Sequence, residues 1–357
     1  MKSNYDILGN HIRLIDTRNR ESITDRVLGI NIDKFFMPSV ANVIGTDLSK
    51  YKLITKGKFA CNPMHVGRDE RLPVALYDEE KPAIVSPAYF MFEVIDNSIL
   101  NEDYLMMWFR RPEFDRICWL HTDGSVRGGI TWDDICRLEL PIPPIENQLE
   151  IVNSYKAITE RIALKQKIND NLDDTAQTLY QKYFESNSDK SSWKQGTVGD
   201  VLQLQRGHDL PRTEMTGGKY PVAGSTGTIG YHDEFTAEAP VIVMGRSGNI
   251  GNPRLYLCNC WTHNTSLYVK QIYEAEPLWV FYLLKNLNYD GFVGGSAVPT
   301  LNRNDVHAYG ITIPPLELHK SFSQKVMSLI YCKEENLSEI EKLQELQKII
   351  LTTMSSR

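Results

Sequence analysis

The 357-residue sequence has no apolar run near the ~20 residues needed to span a bilayer. Its first stretch, Met1 to Leu14, is polar and mixed in charge, which excludes a secretory signal there and sets the expectation of a cytoplasmic protein without a membrane partner. Cysteine is sparse and scattered, at Cys61, Cys118, Cys136, Cys258, Cys260 and Cys332. With no export signal, these read as free thiols and not as a disulfide framework. Positive charge is also short. There are 39 Lys and Arg against 45 Asp and Glu, a net charge of −6, and no stretch compensates: −3 over 1–141, −2 over 142–192, −1 over 193–312 and zero over 313–357. A protein held to nucleic acid by bulk positive charge is excluded, so any such surface must be a local cluster.

What is present is ordinary for a globular protein: 42% hydrophobic, 10% aromatic and 24% charged residues. The length suits two domains. An internal repeat organises them at an offset of 171. Gly124-Ser125 matches Gly295-Ser296, Asp134 matches Asp305, and Ile142-Pro-Pro-Ile-Glu146 matches Ile313-Pro-Pro-Leu-Glu317. Behind each Pro-Pro lies a polar tail with apolar residues at helical spacing. In the first these include Tyr155, Ile162, Ile168, Leu179 and Tyr183, and in the second Phe322, Leu337, Ile340, Leu346 and Met354. Neither tail is broken by Gly or Pro, proline suits a helix entrance, and Glu146 and Glu317 suit the first-turn dipole. A single helix of about 39 residues with one apolar stripe needs a partner. The two tails pair with each other, or each packs on its own domain; the repeated stripes favour mutual pairing.

The regions before the tails read as compact mixed α/β domains, giving an α+β chain. The expected boundaries are 1–141, a helix over 142–184, a polar linker over 185–192, 193–312, and a second helix over 313–357. Ala83–Val85, Tyr89–Val94, Pro240–Met244 and Thr265–Val269 read as strands, and Tyr104–Phe114 and Leu278–Leu287 as helices.

Motifs of catalysis are missing. Gly224-Ser-Thr-Gly-Thr-Ile-Gly230 and Gly245-Arg-Ser-Gly-Asn-Ile-Gly251 lack the Lys-Ser/Thr of a phosphate loop and the following helix of a dinucleotide turn. They read as tight turns at strand ends, followed by loop-like Tyr231-His-Asp-Glu and Asn252-Pro253, where glycine would let a backbone approach DNA closely. Cys258, Cys260 and His263 match no zinc spacing. Asn62-Pro-Met-His65 lacks the second proline and the aromatic of an adenine-methyltransferase motif. No nucleophile set is apparent, so neither a catalytic nor a metal-binding residue is assigned. Basic residues gather instead in loop-like stretches, and arginine suits bidentate reading of guanine. The candidate DNA-contacting set is Arg18, Arg20, Arg68, Arg71 and Arg127 in the first domain. In the second it is Arg206, His208, Arg212, Ser225, Thr226, Arg246, Asn249 and Arg303. Arg26 and Arg254 lie in the same basic stretches.

Leu140-Pro-Ile-Pro-Pro-Ile-Glu-Asn-Gln148 and Ile311-Thr-Ile-Pro-Pro-Leu-Glu317, each closing a mixed domain and opening a helix, resemble the specificity subunit of type I restriction–modification enzymes. Val85-Ser-Pro-Ala-Tyr89 and Gly227-Thr-Ile-Gly-Tyr231 fit the same pattern. The second copy departs from it, with Leu318-His319 where the first has Asn147-Gln148. The resemblance spans the whole chain, which is short for that family and so implies one terminal conserved segment fewer. It implies a non-catalytic reader of double-stranded DNA. Each mixed domain would be a target recognition domain for half of a bipartite, asymmetric site. The two helices would form an antiparallel coiled coil that spaces the half-sites by about 15 base pairs at most. Two methyltransferase subunits would dock on it, and motor–nuclease subunits would join them. S-adenosylmethionine, ATP and magnesium would belong to those partners, and this chain would hold no cofactor. Two other readings stay open: the recognition part of a fused restriction–methylation enzyme, and an interaction protein whose coiled coil serves dimerisation.

Overall fold

The computed structural model describes residues 5–64, 66–122, 128–289 and 300–354. Arg127, His65 and the Gly-Ser pairs of the repeat lie outside the described residues. The chain divides into two compact units, Met1–Leu164 with Glu339–Arg357, and Lys165–Ser338.

In the first unit, Ile12–Leu14, Phe90–Val94, Phe59–Cys61 and Val74–Leu76 form an antiparallel four-stranded sheet in that order. A second sheet runs Phe36–Pro38, Val27–Ile30, Ala83–Val85, Lys52–Ile54, its middle pair parallel. The expected helix over Tyr104–Phe114 is instead two helices, Glu102–Phe109 and Pro112–Leu120. Proline lacks the N–H and collides with the preceding turn, so Pro112 ends one helix and opens the next. Their inner faces place Trp108, Phe109 and Phe114 against Phe59 and Phe92 of the first sheet.

In the second unit, Leu202–Arg206, Ser266–Ile272, Val241–Gly245 and Gly251–Tyr256 form an antiparallel sheet in that order. A three-stranded sheet runs Gly227–His232, Tyr220–Gly224, Trp261–Thr262. Two segments expected to be loop-like, Tyr231-His232 and Asn252-Pro253, are therefore strand. Their ladder partners Tyr220, Pro221 and Val243–Gly245 lie outside the local windows on which the loop reading rested. The helix expected at Leu278–Leu287 is Pro277–Lys285, and its buried face includes Trp279, Val280 and Leu284.

Both tails are helical, over Ile145–Tyr180 and Leu316–Thr353, or ~54 and ~57 Å at ~1.5 Å per residue. The first ends in a π-turn at Gln181–Glu185. The helices pair antiparallel in each unit, the partner's number falling as the other rises. In the first unit Gln347 Nε2 donates to Thr159 Oγ1 at 2.7 Å and Arg161 pairs with Glu339 at 2.5 Å. In the second, Lys165 Nζ donates to Asn336 Oδ1 at 2.8 Å, Lys333 pairs with Asp173 at 2.6 Å, and the Tyr183 and Ser321 hydroxyls lie 3.4 Å apart. Tyr155, Ile162, Phe322, Ile340 and Met354 of the expected stripes are buried. Ile168 and Leu337 are not, at 38% and 40% exposed. Asn169 and Asn336, one position away, take the seam, and Asn336 Nδ2 donates to Asn169 Oδ1 at 2.9 Å. One residue is about 100° of helix rotation, enough to turn a side chain from seam to solvent. A buried amide pair weakens such a seam but favours one pairing over others.

The helix entrances differ between the units. Gln148 is fully buried. It accepts from the Asn101 backbone N–H at 2.9 Å and donates to the carbonyls of Ile99 and Pro143 at 2.8 Å each. That bonding ties the first long helix to the start of Glu102–Phe109. The repeat puts His319 in its place. His319 is equally buried but stacks on Trp279 at 4.1 Å and 10°, and neither of its ring nitrogens has a hydrogen-bond partner among the described residues.

Candidate nucleic-acid interface

The two glycine runs meet in the second unit. Ser225 and Thr226 are the turn between Tyr220–Gly224 and Gly227–His232. Arg246–Ile250 connects Val241–Gly245 to Gly251–Tyr256. The Asn249 side chain donates from Nδ2 to the Ser225 carbonyl at 3.2 Å, joining the turns. Asn252 Nδ2 donates to Asn249 Oδ1 at 2.7 Å and extends the array. Thr265 braces both: its hydroxyl accepts from the Ser225 N–H at 3.4 Å, and its carbonyl accepts from the Arg246 N–H at 3.0 Å. Arg246 Nη1 donates to the Asn264 carbonyl at 3.0 Å, and the Arg246 carbonyl accepts from the Leu301 N–H at 2.8 Å, two residues before Arg303. His208 joins through its N–H, which donates to the Thr262 carbonyl at 2.7 Å. His208, Ser225, Thr226, Arg246 and Asn249 are thus brought around one segment, Trp261–Ser266, with Arg303 beside it. Arg206 and Arg212 are exposed on flanking stretches.

Glycine is required at the crossing. A Cβ on Gly245 would stand 1.5 Å from the Asn249 carbonyl oxygen, which is backbone and cannot swing aside. Gly245→Ala is expected to lower the stability of the chain by about 1–3 kcal/mol, the usual range for overpacking, read as a lower denaturation midpoint. An unchanged midpoint would show that the turn is not closed as described.

In the first unit the candidate arginines form two separate groups. Arg18 and Arg20 flank buried Asn19, whose Nδ2 donates to the Thr24 carbonyl at 2.8 Å. Arg18 pairs with Asp16 at 2.7 Å and donates to the Lys50 carbonyl at 2.7 Å, while Arg20 is exposed. Arg68 pairs with Asp69 at 2.6 Å and Arg71 with Asp33 at 2.9 Å. No hydrogen bond joins the two groups among the described residues. Exposed ion pairs of this kind contribute only ~0–1 kcal/mol, so an incoming phosphate or base can replace the carboxylate. Arg127 lies outside the described residues.

The family described as Type I restriction modification DNA specificity domain matches residues 190–350. The putative type I restriction enzyme MjaX specificity subunit of Methanocaldococcus jannaschii is 21% identical, over 98% of this chain and 88% of that protein. The S subunit of a type I restriction–modification system from M. genitalium has the same fold, with a TM-score of 0.62 at 16% identity over 100% of this chain and 97% of the other. A chain solved to explain complex assembly and conformational transition of the type I R-M system has a TM-score of 0.50 at 16% identity, covering 98% and 96%. Residues 190–350 thus match a type I DNA specificity domain, and along its whole length the chain is similar to type I specificity subunits.

The family matched over 190–350 is, by its description, a DNA specificity domain, a recognition module. No described helix is long and apolar enough to cross a membrane. Sequence reasoning did not select Asn252, His263, Asn264 or Thr265 as site residues. Asn252 was signalled only by following the second glycine run, Thr265 only by opening the strand read at Thr265–Val269, and Asn264 not at all. His263 was noticed for the wrong reason, its closeness to Cys258 and Cys260. In the fold its Nδ1 lies 2.9 Å from the Thr265 hydroxyl, and Cys260 is fully buried.

Proposed function

We propose that this chain is a specificity subunit and reads a bipartite, asymmetric site on double-stranded DNA, one half with residues 1–141 and the other with 193–312. Two methyltransferase subunits dock on the helices of 142–184 and 313–357, and motor–nuclease subunits join through them. The assembly then methylates adenine N6 or cleaves. S-adenosylmethionine, ATP and magnesium are held by those partners.

The observation that carries this reading is the pairing of two unlike readers with two like helices. The first unit has two four-stranded sheets, and the second has a four-stranded and a three-stranded one. The helices are nearly equal in length and share the Pro-Pro entrance. Unlike surfaces recognise unlike half-sites, and stiff helices of ~54–57 Å suit a fixed unread gap. Leu164, Leu346 and Ile349 stand 60%, 43% and 49% exposed on the helices, apolar positions that docked partner subunits would cover. The net charge of −6 predicts weak, salt-sensitive DNA binding by the chain alone, with most phosphate contacts made by partners.

The test is single-molecule sequencing of methylated DNA from cells expressing the methyltransferase subunit with and without this chain. The expected result is a split, non-palindromic motif with one gap length, present only with this chain. A palindromic motif would overturn the asymmetric reading. Methylation independent of the chain would move the interaction-protein reading ahead.

A further inference from the structure

We infer that Arg254 is a base-reading residue of the second unit, and that it recognises a guanine through the major groove. This rests on the proposed function and deepens it.

Arg254 lies on the strand Gly251–Tyr256, opposite Val243, and is exposed. Its guanidinium rests directly over Gly227. A Cβ built there would stand 3.1 Å from Cζ and Nη1 and 3.4 Å from Nε. Gly227 also has φ +121°, a conformation that L side chains rarely adopt. Glycine therefore does two things at this position: it permits the turn, and it leaves the shelf on which the guanidinium lies.

The shelf belongs to the array described above. From Asn252 the bonds run to Asn249 and from Asn249 to Ser225; two residues on is Gly227, and over Gly227 lies Arg254, two residues from Asn252. Asn252 and Gly251 have φ values of +50° and +72°, so this corner is held in a shape that few sequences adopt. On the same two strands, the Thr228 and Tyr256 hydroxyls lie 3.4 Å apart.

Within this frame the guanidinium makes no hydrogen bond or ion pair with any described residue. The candidate arginines Arg18, Arg68 and Arg71 of the first unit each have a carboxylate partner. Arg254 presents up to five donors in a planar fork, with no acceptor for them among the described residues. A guanine edge offers O6 and N7 at the spacing of that fork, and the neighbouring Asn252 amide suits an adjacent base. Arg206, Arg212 and Arg303 are further exposed charges of the same unit, available to the DNA backbone. A point charge meeting phosphate needs no such planar seat, whereas a bidentate reader does.

The experiment is the same methylation sequencing on the complex carrying Arg254→Lys, Arg254→Ala or Gly227→Ala. In all three, one G·C position of one half-site is expected to become degenerate, its preference falling about 5- to 150-fold, the range of one bidentate pair. The other half-site and the gap are expected to stay as in the wild type. Lysine keeps the charge but not the fork. An Arg254→Lys complex that keeps the full motif would make Arg254 a phosphate contact and overturn the inference. So would an unchanged motif in Arg254→Ala, or a uniform loss of methylation in Arg254→Lys with an unchanged melting midpoint. If the wild-type complex itself produces no split motif, it is the proposed function that fails.

Discussion

Replacing Asp115 by alanine is expected to destabilise the first unit by about 3–5 kcal/mol, the cost of leaving a buried charge without its partner. The Lys34 side chain is 4% exposed and that of Asp115 13%, and they pair at 2.6 Å. Lys34 also donates to the Phe109 carbonyl at 2.6 Å, and its ammonium lies 4.7 Å from the Phe114 ring centre. Burial pulls the Lys34 ammonium below its usual range, and Asp115 is the largest influence holding it charged. Asp115 also accepts from the Leu72 N–H at 3.0 Å, so the substitution strands a second donor. Removing both charges together, as Lys34→Met with Asp115→Leu, is expected to be far milder, because neither ion is then left buried alone. Denaturant titration of the parent, the single variants Lys34→Met and Asp115→Leu, and the double variant closes the cycle that measures the coupling. A single Asp115→Ala effect below about 1 kcal/mol would show that water reaches the pair and that it behaves as a surface bridge.

The second large effect is acid lability centred on His319. Burial pushes its imidazole down to about 4, from an ordinary value near 6.5. The folded chain thus binds fewer protons than the unfolded chain between these values. The stability associated with the neutral ring is complete above pH 6.5 and is lost progressively as pH falls toward 4. The loss is about 3 kcal/mol at its fullest. His307 acts in the same direction: burial, then Arg303, lowers it, and its Nε2 accepts from the Leu204 N–H at 2.8 Å, a bond that protonation breaks. His319→Gln installs the residue that the repeat uses at Gln148. The variant is expected to lose markedly less stability than the parent between pH 6.5 and 4.5, measured by denaturation at a series of pH values. Parallel curves for parent and variant would show that His319 does not titrate with unfolding.

Much of the fold was legible because its signals are local. The Pro-Pro punctuation, the absence of helix breakers behind it and the apolar spacing suffice for two long helices. Apolar β-rich runs suffice for the strands at Ala83–Val85 and Val241–Gly245. Pro112 was legible too, and the helix read across it was a misjudgement of a local rule. The seam was less so: Ile168 and Leu337 fit the stripe by hydropathy, yet Asn169 and Asn336 face the partner helix. Which face turns inward depends on the other helix, and a one-residue rotation separates the choices.

The sequence by itself determined the α+β class, the repeat, the helices and the absence of catalytic motifs, since each rests on neighbours in the chain or on composition. Only the tertiary structure decided which polar residues work together. Ser225, Asn249 and Thr265 are separated by tens of residues and meet through strand pairing and turns, which no local spacing encodes. It also decided that Arg18, Arg68 and Arg71 have carboxylate partners, while Arg254 lies over Gly227 with no such partner among the described residues. An arginine's availability depends on the charges folded next to it, and those come from the whole chain.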